Sequence, residues 1–272
     1  HKMFKELFLT NNITFKAISL DENGIVIDDL KKNNVNIAYV TPSHQFPTGA
    51  IMSISRRTEL LNWANENPDR YIVEDDYDSE FKYTGRPIPA LKANDINDKV
   101  IYLGSFSKSI SPAIRVSYLV LPKALLNIYQ RELPYFICPV PTLNQKILYR
   151  FIKDGYFVKH INKMRTLYKK KREFLVNTIK TYSSKILNKE IQIQGADAGL
   201  HMVIKLNQKI NEKLFLNECL ENSLKLYSLE EYNIEEIHRE NSYFLLGYAN
   251  LTNKEIEEGI LLLLKILKKY YM

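Results

Sequence analysis

Between residues 36 and 121 the chain repeats one pattern four times: a short apolar stretch that runs into polar or chain-breaking residues. The stretches are 36–40 (NIAYV), 71–73 (YIV), 99–103 (KVIYL) and 116–121 (VSYLVL). None alternates cleanly between apolar and polar side chains, so each reads as a strand covered on both faces. Between the first two, residues 51–65 place Ile51, Ile54, Leu60, Leu61 and Ala64 at helical spacing, until Asn67-Pro68-Asp69 interrupts. Strands of this kind alternating with helices predict an α/β fold built on a mostly parallel sheet.

Beyond residue 122 the period becomes helical, and residues 160–182 read as one long Lys-rich helix. Short strands at 190–194, 200–206, 224–227 and 243–248, with helices at 211–222 and 254–270, then predict a smaller α+β domain. The expected division is a large domain over 1–155, followed by the long connecting helix and small domain over 156–272. His1-Lys2-Met3 is neither an initiator sequence nor a signal peptide, and the helix that follows reads as entry partway through a fold.

Composition excludes several classes. With 272 residues, 45% hydrophobic and 25% charged, the chain can bury a sizeable core. Cys138 and Cys219 form no CxxC pair, which excludes a disulfide framework and a cysteine-rich zinc site. The run Ile260 to Leu264 is only five apolar residues long, far from the ~20 of a membrane span. A soluble, cytoplasmic protein is expected. The net charge of +7 comes mostly from Lys, amid much Asn and Ile. It reads as solvated surface more readily than as a nucleic-acid face, and so does the block Lys169-Lys170-Lys171-Arg172.

The chemistry lies at the strand ends, where open α/β sheets bind ligands. The third strand runs into Gly104-Ser105-Phe106-Ser107-Lys108, with Arg115 seven residues on. Hydroxyls, backbone N–H groups and a guanidinium suit an anion, although the Gly-x-x-x-x-Gly-Lys of a P-loop is absent. A partly desolvated lysine there could equally form a Schiff base with a carbonyl. A Ser-rich loop with a surface lysine is the plain alternative. The second strand ends in Glu74-Asp75-Asp76-Tyr77-Asp78-Ser79-Glu80, which taken alone reads as a solvated acidic turn before an acid/base pair or a metal site. No His stands near it, and no metal is expected. The first strand leads into Thr41-Pro42-Ser43-His44-Gln45-Phe46-Pro47-Thr48-Gly49, a rigid loop with His44 and Gln45 available for hydrogen bonds.

Together these segments carry a resemblance. YVTPSHQFPTG, YIVEDDYDSEFKYTGRPIPAL, VIYLGSFSKSISPAIRVSYLVLP, then HINKMRTLY, GLH and LLGYANL resemble the aminotransferase-like domain of MocR-subfamily, GntR-type transcriptional regulators. The resemblance implies a fold-type-I domain, with an incomplete large domain and a small one, that holds pyridoxal 5′-phosphate. It implies that Lys108 forms the internal aldimine, Asp75 pairs with the pyridine nitrogen and Tyr77 reaches the ring's 3′ oxygen. By the same resemblance Ser105, Ser107 and Arg115 hold the phosphate. His44 and Gln45 lie in the loop that replaces the Asn-Pro-Thr-Gly turn of ordinary aminotransferases. Phe46 precedes Pro-Thr-Gly here, so the Asn that would contact the 3′ oxygen is missing. Many members receive the ligand's carboxylate on an Arg in a small-domain strand; here Lys225 falls there, with Arg239 as the second candidate.

The implied function is sensing of an amino acid or other amine that exchanges onto the cofactor as an external aldimine. A homodimer is implied, with DNA bound only through an N-terminal winged helix-turn-helix outside these residues. A working aminotransferase would use the same lysine, aspartate and tyrosine, and a cofactor-free interaction domain would use none of them.

Overall fold

A computed structural model describes residues 2–85, 88–234 and 239–271. In chain order the elements are α1 (Lys2–Thr10), the hairpin strands β1 (Leu20–Asp21) and β2 (Gly24–Ile25), α2 (Ile27–Lys32), β3 (Ile37–Val40), α3 (Ile54–Asn65) and β4 (Tyr71–Asp76). There follow β5 (Val100–Ser105), α4 (Phe106–Ser109), β6 (Ser117–Val120), α5 (Lys123–Glu132), α6 (Thr142–Lys153) and α7 (Tyr156–Leu187). The last are β7 (Gln192–Gln194), β8 (His201–Lys205), α8 (Glu212–Glu221), β9 (Tyr227–Ser228), β10 (Tyr243–Gly247) and α9 (Asn253–Lys268). The chain forms two compact units. One comprises residues 18–45 and 50–165, the other residues 1–17, 46–49 and 166–272. Among the described residues no helix is long and apolar enough to cross a membrane.

The first unit contains a sheet of order β3-β4-β5-β6. β3, β4 and β5 run parallel, and β6 pairs antiparallel with β5. Ala38, Val40, Ile72 and Val100 form one core with Leu60, Trp63 and Ala64 of α3. The last three are fully buried, and each large one contributes about 1.5–3 kcal/mol through the water it leaves. α3 begins at Ile54, not at 51 as its apolar spacing suggested. Ser53 caps it by accepting the Arg56 N–H at 3.3 Å, and Met52 instead donates its N–H to the Pro42 carbonyl at 3.0 Å.

Cover on both faces is expected from the apolar strands; among the described residues it is full on one face and partial on the other. Tyr39, Val73, Asp75 and Leu103 on the opposite face are only half-buried, and every residue of β6 is exposed. The alternation along β4 therefore has physical meaning: Ile72, Glu74 and Asp76 point into the buried side, and Tyr71, Val73 and Asp75 to the other.

Glu74 is a carboxylate in that core, fully buried. Its two oxygens accept the N–H groups of Leu91 (2.8 Å) and Lys92 (2.9 Å), at the start of a short 3-10 turn. Burial pushes its pKa up, and those two N–H bonds and Arg57 oppose the rise. Arg57 stands 3.9 Å away and donates to the carbonyls of Met52, Pro42 and Pro89. One buried carboxylate and one buried guanidinium thus tie two long connections, β3–α3 and β4–β5, to the sheet.

The second unit holds an antiparallel sheet of order β7-β8-β10-β9. Met202, Ile204, Phe244 and Leu246 pack with Phe215 and Cys219 of α8 and with Leu263, Leu264 and Leu267 of α9. A capping box between Thr252 and Glu255 starts α9. α7 is longer than the expected 160–182, at 32 residues. β9 is shorter than the expected strand at 224–227, because Leu224 returns its N–H to the Cys219 carbonyl at 2.8 Å, closing α8. Ser228 in turn caps the next 3-10 turn, leaving two residues for pairing.

Replacing Glu74 with Ala leaves two buried N–H groups without acceptors and Arg57 without its countercharge. The expected loss is about 3 kcal/mol, read from urea unfolding, with Glu74→Gln losing less because one acceptor survives.

Candidate functional site

Because β3, β4 and β5 are parallel, their carboxyl ends lie along one edge of the first unit's sheet. That edge carries the His44 loop, Asp75 with the acidic run behind it, and Ser105 leading to Lys108. The structure gathers these candidates in one unit. Lys225 and Arg239 belong to the other.

The acidic run is not one solvated turn, because its carboxylates have separate partners. Asp75 is half-buried, and the Tyr39 hydroxyl on the neighbouring strand donates to its Oδ2. Burial raises the Asp75 pKa; Tyr39 opposes the rise, while Asp76 and Asp78 add to it. Asp76, on the other face, accepts the Tyr102 hydroxyl at 2.6 Å and the Ser79 hydroxyl at 2.7 Å. Asp78 is buried, with Oδ2 3.0 Å from His44 Nδ1, while its Oδ1 has no partner among the described residues.

His44 is accordingly engaged through both its ring and its backbone. Its ring meets Asp78, and its carbonyl accepts the Tyr77 hydroxyl at 2.6 Å. Burial first, then the charges of Asp78, Asp75 and Asp76, hold the Tyr77 phenol well above its ordinary range. Gln45 is half-buried and donates its backbone N–H to the Ala50 carbonyl at 2.7 Å.

Past β5 the chain turns sharply. Ser105 accepts the Ser107 N–H on its side-chain oxygen at 3.1 Å and so opens α4, which is four residues long. Ser105 and Ser107 are half-buried, Lys108 is exposed, and Ser109 is buried. The Ser109 hydroxyl has no partner among the described residues, and its carbonyl lies 3.0 Å from His160 Nε2. Ser111 caps a 3-10 turn that ends at Arg115, exposed and in the left-handed region at φ 50°. Gly104 has no room for a side chain. An ideal Cβ would lie 2.2 Å from the Tyr118 ring, which also sits 5.4 Å from Phe106.

In the second unit Lys225 is exposed, two residues ahead of β9, with its amine 5.3 Å from the Tyr227 ring centre. Arg239 is half-buried. Its Nη2 donates to Asn233 Oδ1 at 3.2 Å, its guanidinium lies over Tyr243, and its Nη1 is buried with no partner among the described residues.

Two residues here escaped the sequence reading. Tyr39 was hidden inside an apolar strand, and only the inter-strand register could have pointed to it. Ser109 lay among other serines with nothing to distinguish it.

A mostly parallel sheet with a carboxylate, a phenol, hydroxyls and a lysine at its carboxyl edge, in a chain that also holds a unit with a small antiparallel sheet, is the pattern of a fold-type-I α/β protein. The family model for aminotransferase class I and II matches residues 1–261, and the chain belongs to that family. It is 37% identical over 94% of its length to the HTH-type transcriptional regulator YdeL of Bacillus subtilis, covering 54% of that protein. It is 29% identical over 89% of its length to the "Probable rhizopine catabolism regulatory protein MocR" of Rhizobium meliloti, covering 48% of it. Among solved structures, a kynurenine aminotransferase of Pyrococcus horikoshii in complex with PMP superposes with a TM-score of 0.82 at 25% identity. That match covers 94% of this chain and 64% of the other. The resemblance to MocR-type regulators is thus matched by its relatives, and the chain spans about half their length.

Glu80 gives the site region a pH signature. Burial, reinforced by Asp76 and Asp78, pushes its carboxyl up to about 7. A carboxyl raised on folding stabilises the protein below its unfolded value and loses that contribution as pH rises through the folded one. Stability should therefore fall between about pH 4.5 and 7, by up to ~3 kcal/mol. Glu80→Gln should flatten that fall, as followed by thermal unfolding across the same pH range.

Proposed function

We propose that this chain is the pyridoxal-phosphate-binding, effector-sensing part of a MocR-type regulator, and that its effector is an amino acid or another primary amine. The observation that carries the proposal is Asp75: a half-buried carboxylate on the open face of a parallel sheet, at the carboxyl edge.

The donor set fits the cofactor. Asp75 retains an oxygen for a protonated ring nitrogen, since Tyr39 donates to Oδ2. Tyr77 would place its phenol at the ring's 3′ oxygen, with His44 and Gln45 in the loop behind. Ser105, Ser107 and Arg115 supply hydroxyls and a fixed positive charge suited to a phosphate. When bound, pyridoxal phosphate supplies an aldehyde carbon that condenses with amines and a ring that withdraws electrons.

The chain's own residues then divide the work. Lys108 is exposed on its short helix, so its amine is accessible both to the aldehyde and to a competing amine from solvent. Released, that amine can hold or return a proton close to the reacting carbon. For the effector's carboxylate Arg239 is better suited than Lys225. Its Nη1 is a buried donor without a partner among the described residues, whereas Lys225 is exposed and carries a single point charge. In the whole regulator, a homodimer in the cytoplasm, DNA would be contacted through an N-terminal winged helix-turn-helix. An effector changes such a protein only through its unequal affinity for two conformations.

Incubation with pyridoxal phosphate followed by borohydride reduction should leave a reduced cofactor on the peptide containing Lys108, and Lys108→Ala should abolish it in mass spectra. Label distributed over surface lysines in both proteins would overturn the cofactor assignment. With amino acids added, a stable shift in the visible band supports sensing. Accumulation of keto acid with pyridoxamine phosphate would instead establish an aminotransferase. Arg239→Gln should raise the effector concentration for half-maximal spectral change roughly tenfold or more, and Lys225→Gln should leave it near the original value.

A further inference from the structure

We propose that Tyr39 is a positioning residue for the cofactor ring: its hydroxyl donates to one Asp75 oxygen, favours the carboxylate form and fixes which oxygen is left for the ring nitrogen. This rests on the cofactor assignment above.

The placement comes from the sheet. In the parallel pairing of β3 and β4, Tyr39 is opposite Val73 and Val40 is opposite Glu74. Side chains alternate along a strand, so Tyr39, Val73 and Asp75 share one face, while Glu74 and Asp76 share the other. Tyr39 thus reaches forward along its neighbour and donates to Asp75 Oδ2. Both residues are borne by strands whose relative register is set by backbone hydrogen bonds, not by loops.

The energetic case is specific to this carboxylate. Burial disfavours its anion, and so do the charges of Asp76 and Asp78. Among the described residues the influence on the other side is the Tyr39 hydroxyl, and no Lys or Arg is paired with Asp75. Tyr39 is itself a stable donor, since burial and the neighbouring carboxylate push its own ionisation far above the physiological range. A phenol that stays protonated at every relevant pH can stabilise an anion without contributing charge of its own.

This matters for the ring because a proton shared between a pyridine nitrogen and a carboxylate goes to the stronger base. A hydrogen bond into the carboxylate weakens it as a base and leaves the proton on nitrogen. Without Tyr39, Asp75 becomes the better base and the ring loses part of its positive charge, along with its capacity to withdraw electrons.

Tyr39→Phe removes the hydroxyl and retains the ring's packing; circular dichroism would confirm the fold. The first measurement needs no cofactor. In protein labelled with ¹³C at aspartate side chains, with Asp75→Asn used for assignment, the Asp75 carboxyl should titrate at higher pH in Tyr39→Phe than in the original chain. An unchanged titration overturns the inference, whatever the cofactor does. The second uses pyridoxal phosphate labelled with ¹⁵N in the ring. The ring nitrogen should resonate as protonated in the original chain and move toward the unprotonated position in Tyr39→Phe, with cofactor affinity weakened roughly tenfold. In an Asp75→Asn background, Tyr39→Phe should add nothing. An additional shift there would mean that Tyr39 acts by another route, and would also overturn the inference. If the original chain fails to bind the labelled cofactor at all, the cofactor assignment fails, and the carboxyl titration still decides the Tyr39–Asp75 interaction.

Discussion

The candidate site depends on the phase of β4. Six residues alternate between a core packed by α3 and a face that is only half-covered. A slip of one residue would send Asp75 into the core and bring Glu74 out. Glu74 prevents that slip. Its carboxylate is desolvated, and two backbone N–H groups and Arg57 meet it only in this register. Ionised groups are costly to bury without partners, so few other arrangements of this strand are available. The residue that fixes the site is therefore not in the site, and it lies one position before Asp75.

Three consecutive acidic residues thus perform three unlike tasks. Glu74 ties the sheet to a distant turn, Asp75 faces the open side under Tyr39, and Asp76 collects the hydroxyls of Tyr102 and Ser79. Asp78 holds the His44 ring, and through His44 the loop whose carbonyl receives Tyr77. Such a run would repel itself as a solvated turn. Distributed over two faces and separate sets of partners, each charge is answered locally, and burial first, then the repulsion that remains, raises the pKa values of Asp75 and Glu80.

Much of this was legible in the sequence, and the parts that were not share a cause. The strands from β3 onward, α3, α8 and α9 follow from local periodicity and breakers, the hairpin of β1 and β2 does not, and the motif around Lys108 follows from its resemblance to a family. Glu74 could not be assigned, because its partners are backbone groups 17 and 18 positions away. Tyr39 read as one more apolar strand residue, since its role needs the register of β3 against β4. The start of α3 at Ile54 and the shortness of β9 were settled by Ser53 and Ser228, side chains used as caps where the apolar pattern alone would have continued. Long-range backbone pairing and capping chemistry are what a one-dimensional pattern conceals.

The same distinction separates the rigid and the adaptable parts of the candidate site. Asp75, Tyr39 and Ser105 stand on strands, where neighbours fix backbone and side chain together. Lys108 stands on a single helical turn opened by one serine, and Arg115 follows a 3-10 turn in a left-handed conformation. Groups on strands hold a bound ring in one place, and groups on short turns can change partners at low cost. Under the function proposed above, an effector that displaces Lys108 would act on the turn that bears the amine more than on the strand-borne groups. Any difference in stability between the two states would then have to arise on the loop side. On the sensing role proposed above, that is where a ligand of modest size would bias a larger rearrangement, since an equilibrium moves only through unequal affinity for two states.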